Sequence, residues 1–200
     1  MDSFGRIFRV SVFGESHGPQ TGVVLDGVPE GIELSEADFA ADLARRAPGK
    51  KGTTSRIEAD KPRIISGVYD GHTTGAPLCI VFDNKDIRPQ DYDSFDAVPR
   101  PGHADYVASV KWDWNNDPRG GGHFSGRLTA PVVAAGVVAK KVLDGMEFCA
   151  ELVELGGSAD RKEWDSLLQK AAEEGDSLGG VVECTVKNVP IGLGEPFWDS

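Results

Sequence analysis

TAPVVAAGVVAKKVL, residues 129–143, is apolar almost all round over about four helical turns, and a helix of that kind belongs inside a protein rather than on its surface. Thr129 is suited to cap it, and Pro131 falls in its first turn, where a missing N–H breaks no bond. The elements that wrap such a helix have to be read outward from it. Directly ahead lies Gly120-Gly121-Gly122-His123-Phe124-Ser125-Gly126. Glycines running into a helix N-terminus can offer backbone amides to an anion, and Arg119 and Arg127 stand on either side. The pattern is neither a P-loop, which ends in Gly-Lys-Ser/Thr, nor a dinucleotide fingerprint, whose last glycine is Ser125 here.

Further out, Arg100–Pro131 gathers two histidines, three arginines and five glycines around one short helical run, His103–Trp112. A second piece, Gly14-Glu15-Ser16-His17-Gly18, follows an apolar strand. All four histidines, His17, His72, His103 and His123, adjoin a glycine, which displays a side chain rather than packing it. Imidazoles exchange protons near neutral pH, so His17 and His103 are the candidate proton carriers, while His72 belongs to a hairpin turn. A metal site from His17, His103, His123 and Asp105 is disfavoured, because no histidine pair has helical spacing and no HExxH-like element exists.

The remaining pattern is mixed. Strands are expected over Ile7–Phe13 and Gly22–Leu25, and a helix opened by the Ser35–Asp38 capping box and running to about Arg46. A hairpin of Arg63–Tyr69 with Leu78–Phe82 follows, then a strand over Glu147–Leu155, a helix over Asp160–Glu174 closed by Gly175, and a strand over Gly180–Lys187. Residues 50–60 read as a mobile loop. Strands and helices without regular βαβ alternation predict an α+β fold.

The net charge of −11 argues against nucleic acid as a partner. Residues 45–63 nevertheless carry seven cations against Glu58 and Asp60, a basic island suited to a small anionic ligand. Residues 144–183 carry eleven acids against three bases, a solubilising surface. No apolar run approaches the roughly 20 residues of a membrane span and no signal peptide is visible, which predicts a cytoplasmic protein. Cys79, Cys149 and Cys184, odd in number and set among apolar residues, are expected to be buried thiols. The residues alone therefore indicate an enzyme acting on a phosphorylated anion with histidine acid catalysis.

Several long motifs in order, FRVSVFGESHG, DGVPEGIELSEADFAADLARRAPG, RPGHADY and RGGGHFSGRLTA, with GLGEP near the end, resemble the chorismate synthase family. The resemblance implies a β-α-β sandwich with helices between antiparallel sheets, in a homotetramer when full length. It implies anti 1,4-elimination of phosphate from 5-enolpyruvylshikimate 3-phosphate, with reduced FMN (FMNH2) required and NADPH as a possible reductant. By position, His17 resembles the histidine that protonates the flavin and His103 the one that assists phosphate departure. Ser16 and Arg46 match positions contacting substrate or NADPH, Arg127 an arginine of the phosphate cluster, and His123, Phe124 and Ser125 the flavin-contacting triplet.

Two departures stand out. Many family members have Arg-Ser-Ser where this chain has His123-Phe124-Ser125, and Ala-Arg-Glu-Thr where it has Gly126-Arg127-Leu128-Thr129. Members are also longer, and their second half brings further flavin contacts and an aspartate. The expectation is thus one chorismate synthase domain over 1–200, truncated at its C-terminal end, with a non-catalytic flavin- or phosphate-binding fragment as the alternative.

Overall fold

The computed structural model describes residues 2–47, 60–85 and 98–194, which form two compact units. The first comprises the described residues up to Val142 and the second runs from Leu143 to Gly194. Residues 50–59 of the loop expected after the first helix, three cations of the basic island (Lys50, Lys51, Arg56) and Glu195-Pro196 of the GLGEP motif lie outside the described residues.

The first unit begins with a short strand β1 (Ser3–Phe4), then β2 (Arg9–Gly14) and β3 (Gln20–Asp26), antiparallel with Val10 opposite Leu25 and Gly14 opposite Thr21. The GESHG turn hangs from the end of that pair. A 3-10 turn over Glu36–Phe39 leads into α1 (Ala40–Arg46), and the capping box forms: Asp38 accepts from the Ser35 amide at 2.7 Å. β4 (Pro62–Ser66) and β7 (Leu78–Asp83) pair as expected, with a bulge between Ile64 and Ser66. The strand expected to reach Tyr69 breaks there, and β5 (Val68–Tyr69) and β6 (His72–Thr73) form a separate small hairpin. The large sheet has the order β1-β2-β3-β7-β4.

Alternation of apolar residues drives one face of that sheet inward. Val10, Val23, Leu25, Leu78, Ile80 and Phe82 meet Phe39 and Leu43 of the α1 segment and Ala130, Ala134, Val137 and Val138 of α3 (Thr129–Val142). Alanine at 130 and 134 lets α3 lie close to the strands. The helix is central to this core but not buried all round: Val132, Gly136 and Lys140, spaced four apart, form an exposed stripe. Nor does Thr129 cap it. Its hydroxyl donates to the Gly126 carbonyl at 2.6 Å, and the Ser125 hydroxyl accepts the Arg127 amide at the start of a preceding 3-10 turn. The helix expected over 103–112 is α2 (Asp105–Lys111).

The second unit is an antiparallel pair, β8 (Glu147–Leu155) and β9 (Gly180–Lys187), joined through α4 (Trp164–Glu174). Gly175 ends α4 with φ 66°, as expected of a left-handed C-cap. All eight residues of β9 are exposed, and among the described residues of the unit only Leu155 and Ala171 are buried apolar side chains. The expectation of buried cysteines fails here: Cys149 and Cys184 are exposed because this two-stranded ribbon leaves them uncovered, and Cys79 is half-buried. Mixed helices and antiparallel sheets make the chain α+β, as expected. Among the described residues no helix is long and apolar enough to cross a membrane.

Candidate active site

The GESHG turn and the glycine tract are tied together by backbone. The Ser16 amide donates to the Gly122 carbonyl at 3.0 Å, and His123 Nδ1 lies 2.9 Å from the Gly14 carbonyl. Buried Asn84 clasps the turn from the sheet side, its amide group donating to the carbonyls of Glu15 (3.1 Å) and Gly18 (2.8 Å). Gly120, Gly121 and Gly122 have φ of 59°, 82° and 53°, a succession that L side chains rarely adopt.

That backbone brings the two candidate histidines onto neighbouring residues. A Cβ on Gly120 would strike the His17 ring, with the Ser16 hydroxyl 3.0 Å away; a Cβ on Gly121 would lie 2.7 Å from His103 Cε1. His17 and Ser16 are buried, and the His103 side chain is one-third exposed. The glycines therefore serve close approach of two imidazoles. They do not run straight into α3 as an anion cradle, since the 3-10 turn Gly126–Leu128 intervenes and the Gly121 amide donates to the Pro118 carbonyl.

Each imidazole has an aspartate–arginine clamp nearby. Arg100 grips Asp105 through Nε (2.7 Å), Nη2 (2.8 Å) and its backbone amide (3.1 Å), and His103 Nδ1 lies 2.7 Å from Asp105 Oδ1. Those hydrogen bonds, those of the Arg100 side chain foremost, hold the Asp105 carboxyl at about 2 despite its burial. On the other side Arg119 grips Asp117 through Nε (2.8 Å) and Nη2 (2.7 Å). Burial alone would push the Asp117 carboxyl up, but the Arg119 hydrogen bonds and the charges of Arg119 and His17 outweigh it and leave it lowered.

Arg127 and Arg46 are held elsewhere, on Asp60. Arg127 is buried, with Nη1 on Asp60, Nε on Asn84 (3.0 Å) and Nη2 on the Asp83 carbonyl (3.4 Å). Arg46 reaches the same carboxylate with Nη2 at 2.6 Å and donates to the Thr129 hydroxyl at 3.3 Å. Among the described residues, two guanidiniums on one carboxylate leave one positive charge in surplus. Asp60, Asn84, Arg100 and Asp117 are not among the site residues expected from the sequence. Arg100 and Asp117 were visible only as neighbours of His103 and Arg119, while Asp60 and Asn84 gave no signal.

His123 and Phe124 face a cleft of about 470 Å³. Phe13, Trp112 and Phe124 give it flat apolar surface, with the Trp112 and Phe124 ring centroids 5.2 Å apart. Asp2, Glu15, Asp105 and Asp117 also line it, and His123 Nε2 lies 3.1 Å from Asp2. Ser125 caps the following turn through its hydroxyl. The structure thus brings together Ser16, His17 and His103, sets His123 and Phe124 at the adjoining cleft, and holds Arg46 and Arg127 on Asp60, with Asn84 linking Arg127 to the GESHG turn. Among the described residues no group of three or more His, Cys, Asp or Glu side chains could hold a metal ion.

A family model described as chorismate synthase matches residues 8–200. The chain is 55% identical to a chorismate synthase of Chitinophaga pinensis, covering all of this chain and 60% of that protein. It is 43% identical to that of Korarchaeum cryptofilum, with 100% and 63% covered, and 45% identical to that of Aeropyrum pernix, with 98% and 59% covered. A crystal structure of a chorismate synthase superposes with a TM-score of 0.68 at 26% identity, covering 92% of this chain and 59% of that one. The chain thus spans about three-fifths of the length of the curated relatives it matches.

Proposed function

Since the chain belongs to the chorismate synthase family, we propose that it carries the histidine pair of a phosphate lyase that converts 5-enolpyruvylshikimate 3-phosphate to chorismate in aromatic amino acid biosynthesis. One observation carries this reading. His17 and His103, on segments far apart in sequence, converge on the adjacent residues Gly120 and Gly121. In the elimination a C–O bond breaks, phosphate departs and a C6 proton is lost. His103, partly exposed beside its aspartate, gives a proton to the departing phosphate oxygen. His17, buried behind Gly120, holds a second proton out of solvent.

Reduced FMN is the cofactor of this reading, and it supplies the electron-rich ring that the elimination requires without net redox change. The residues present fit its ring better than its phosphate. Phe13, Trp112 and Phe124 suit a planar aromatic group, so Phe124 and His123 would hold it, whereas four carboxylates on the same lining disfavour an anion. A phosphate is better matched by the surplus charge of Arg46, Asp60 and Arg127, which supports the assignment of Arg46 and Arg127 to anion binding. NADPH as reductant, a single domain made of both compact units, a homotetramer and a cytoplasmic location complete the reading. Exposed Tyr106, Val107 and Val110 on α2 support association with further protein surface.

The test is anaerobic chorismate formation with reduced FMN. Turnover is expected to fall by about 10²–10⁴-fold in His17→Ala and His103→Ala. Turnover that survives His103→Ala would overturn the role given to that residue. Saturable binding of substrate and FMN with no turnover is the outcome expected of a non-catalytic binding fragment.

A further inference from the structure

Asp105 stands in the wall of the site with its two oxygens differently engaged. Oδ2 accepts from Arg100 Nε (2.7 Å) and from the Arg100 amide (3.1 Å). Oδ1 accepts from Arg100 Nη2 (2.8 Å) and lies 2.7 Å from His103 Nδ1. A carboxylate at that distance accepts a hydrogen bond from Nδ1–H and thereby selects the imidazole tautomer. The Arg100 Nη2 atom lies 3.2 Å from Nδ1 and 3.4 Å from Nε2, both longer than the 2.7 Å from Nδ1 to Asp105 Oδ1. The opposite end of the ring, Cε1 and Nε2, faces Gly121.

We propose that Asp105, locked by Arg100, is a positioning residue for His103. It takes the Nδ1–H bond, fixes the ring and leaves Nε2 as the atom that exchanges the proton. The inference rests on the reading of His103 as the acid for phosphate departure. In that step the Nε2 proton passes to the bridging oxygen as the C–O bond breaks, the bond's electron pair stays with the oxygen, and the ring is left in the neutral Nδ1–H form. Solvent reprotonates Nε2 before the next turnover. The side chain is 7% exposed, so its charge acts on the ring with little screening by water. An ion pair that served only to close the 100–105 loop would engage Arg100 equally well with Nδ1 of His103 turned away.

Selective 15N-histidine labelling with long-range proton–nitrogen correlation reads the tautomer of each ring directly. Neutral His103 is expected in the Nδ1–H form in the parent chain, a measurement that does not depend on any variant folding. In Asp105→Ala that preference should be lost while the His72 signals stay in place. A predominantly Nε2–H His103 in the parent, or a tautomer unmoved by Asp105→Ala in a folded chain, overturns the proposal. Where the parent makes chorismate, the near-isosteric Asp105→Asn should lower kcat by about 10²-fold with KM within about threefold, and an unchanged kcat again overturns it. If the parent makes no chorismate, the functional reading fails and the tautomer alone decides this one.

Discussion

At the scale of single residues, Gly121 has a testable burden. It combines φ 82° with an imidazole carbon 2.7 Å from where a Cβ would stand, so Gly121→Ala must move His103 or unwind the turn. A stability loss of about 1–3 kcal/mol and a fall in turnover of at least about tenfold are expected, measured by urea unfolding and the chorismate assay. Gly126 has nothing within 4 Å of its would-be Cβ and no positive φ, so Gly126→Ala should stay within about 0.5 kcal/mol of the parent. Asp105 carries a prediction about acid. Its carboxyl is depressed to about 2 from an ordinary value of 3.8, so it stabilises the folded chain fully above about pH 4. That contribution, roughly 2 kcal/mol, is lost as pH falls from about 4 to 2. Denaturant titrations across that range should therefore show a steeper loss in the parent than in Asp105→Asn.

At the scale of elements, one carboxylate just ahead of β4 joins the end of α1 to the turn before α3, and Arg127 of that turn reaches on to the end of β7. Asp60→Ala leaves two poorly exposed guanidiniums facing each other, and a loss of about 3–5 kcal/mol is expected in urea unfolding. Removal of Asp26, which faces Arg9 at 4.0 Å with both side chains more than half exposed, should change stability by less than about 1 kcal/mol. This cluster also marks the limit of what the sequence could tell. The strands, the capping box, α2 and α3 were legible because periodicity and caps are local signals, and His103 is partly exposed as its glycine neighbour suggested, whereas His17, expected to be displayed, is buried because Gly120 lets the backbone close over its ring. That Arg127 pairs with Asp60, sixty-seven positions away, is set by how β7 and α3 pack, and no spacing in the chain encodes it. The exposed stripe of α3 was missed for a similar reason. Valine and glycine read as apolar, but the sheet covers only one side of the helix.

At the scale of the whole chain, the two units differ in how firmly they are built. The first has a five-stranded sheet and a continuous apolar core, whereas the second buries two apolar side chains under an exposed ribbon. Amides of β8 and β9 should therefore exchange with deuterium well before those of β3 and β7, and equal protection would contradict that difference. Thiol modification offers an independent check. Exposed Cys149 and Cys184 should react before half-buried Cys79, whose thiol burial pushes up. The other end of the chain bears on practice. Asp2 is both a wall of the 470 Å³ cleft and the partner of His123, and its carbonyl is held by the Val12 amide. Replacing Asp2 would therefore alter a wall of the cleft and the setting of His123 together, so a binding constant measured with that change in place describes a differently shaped receptor.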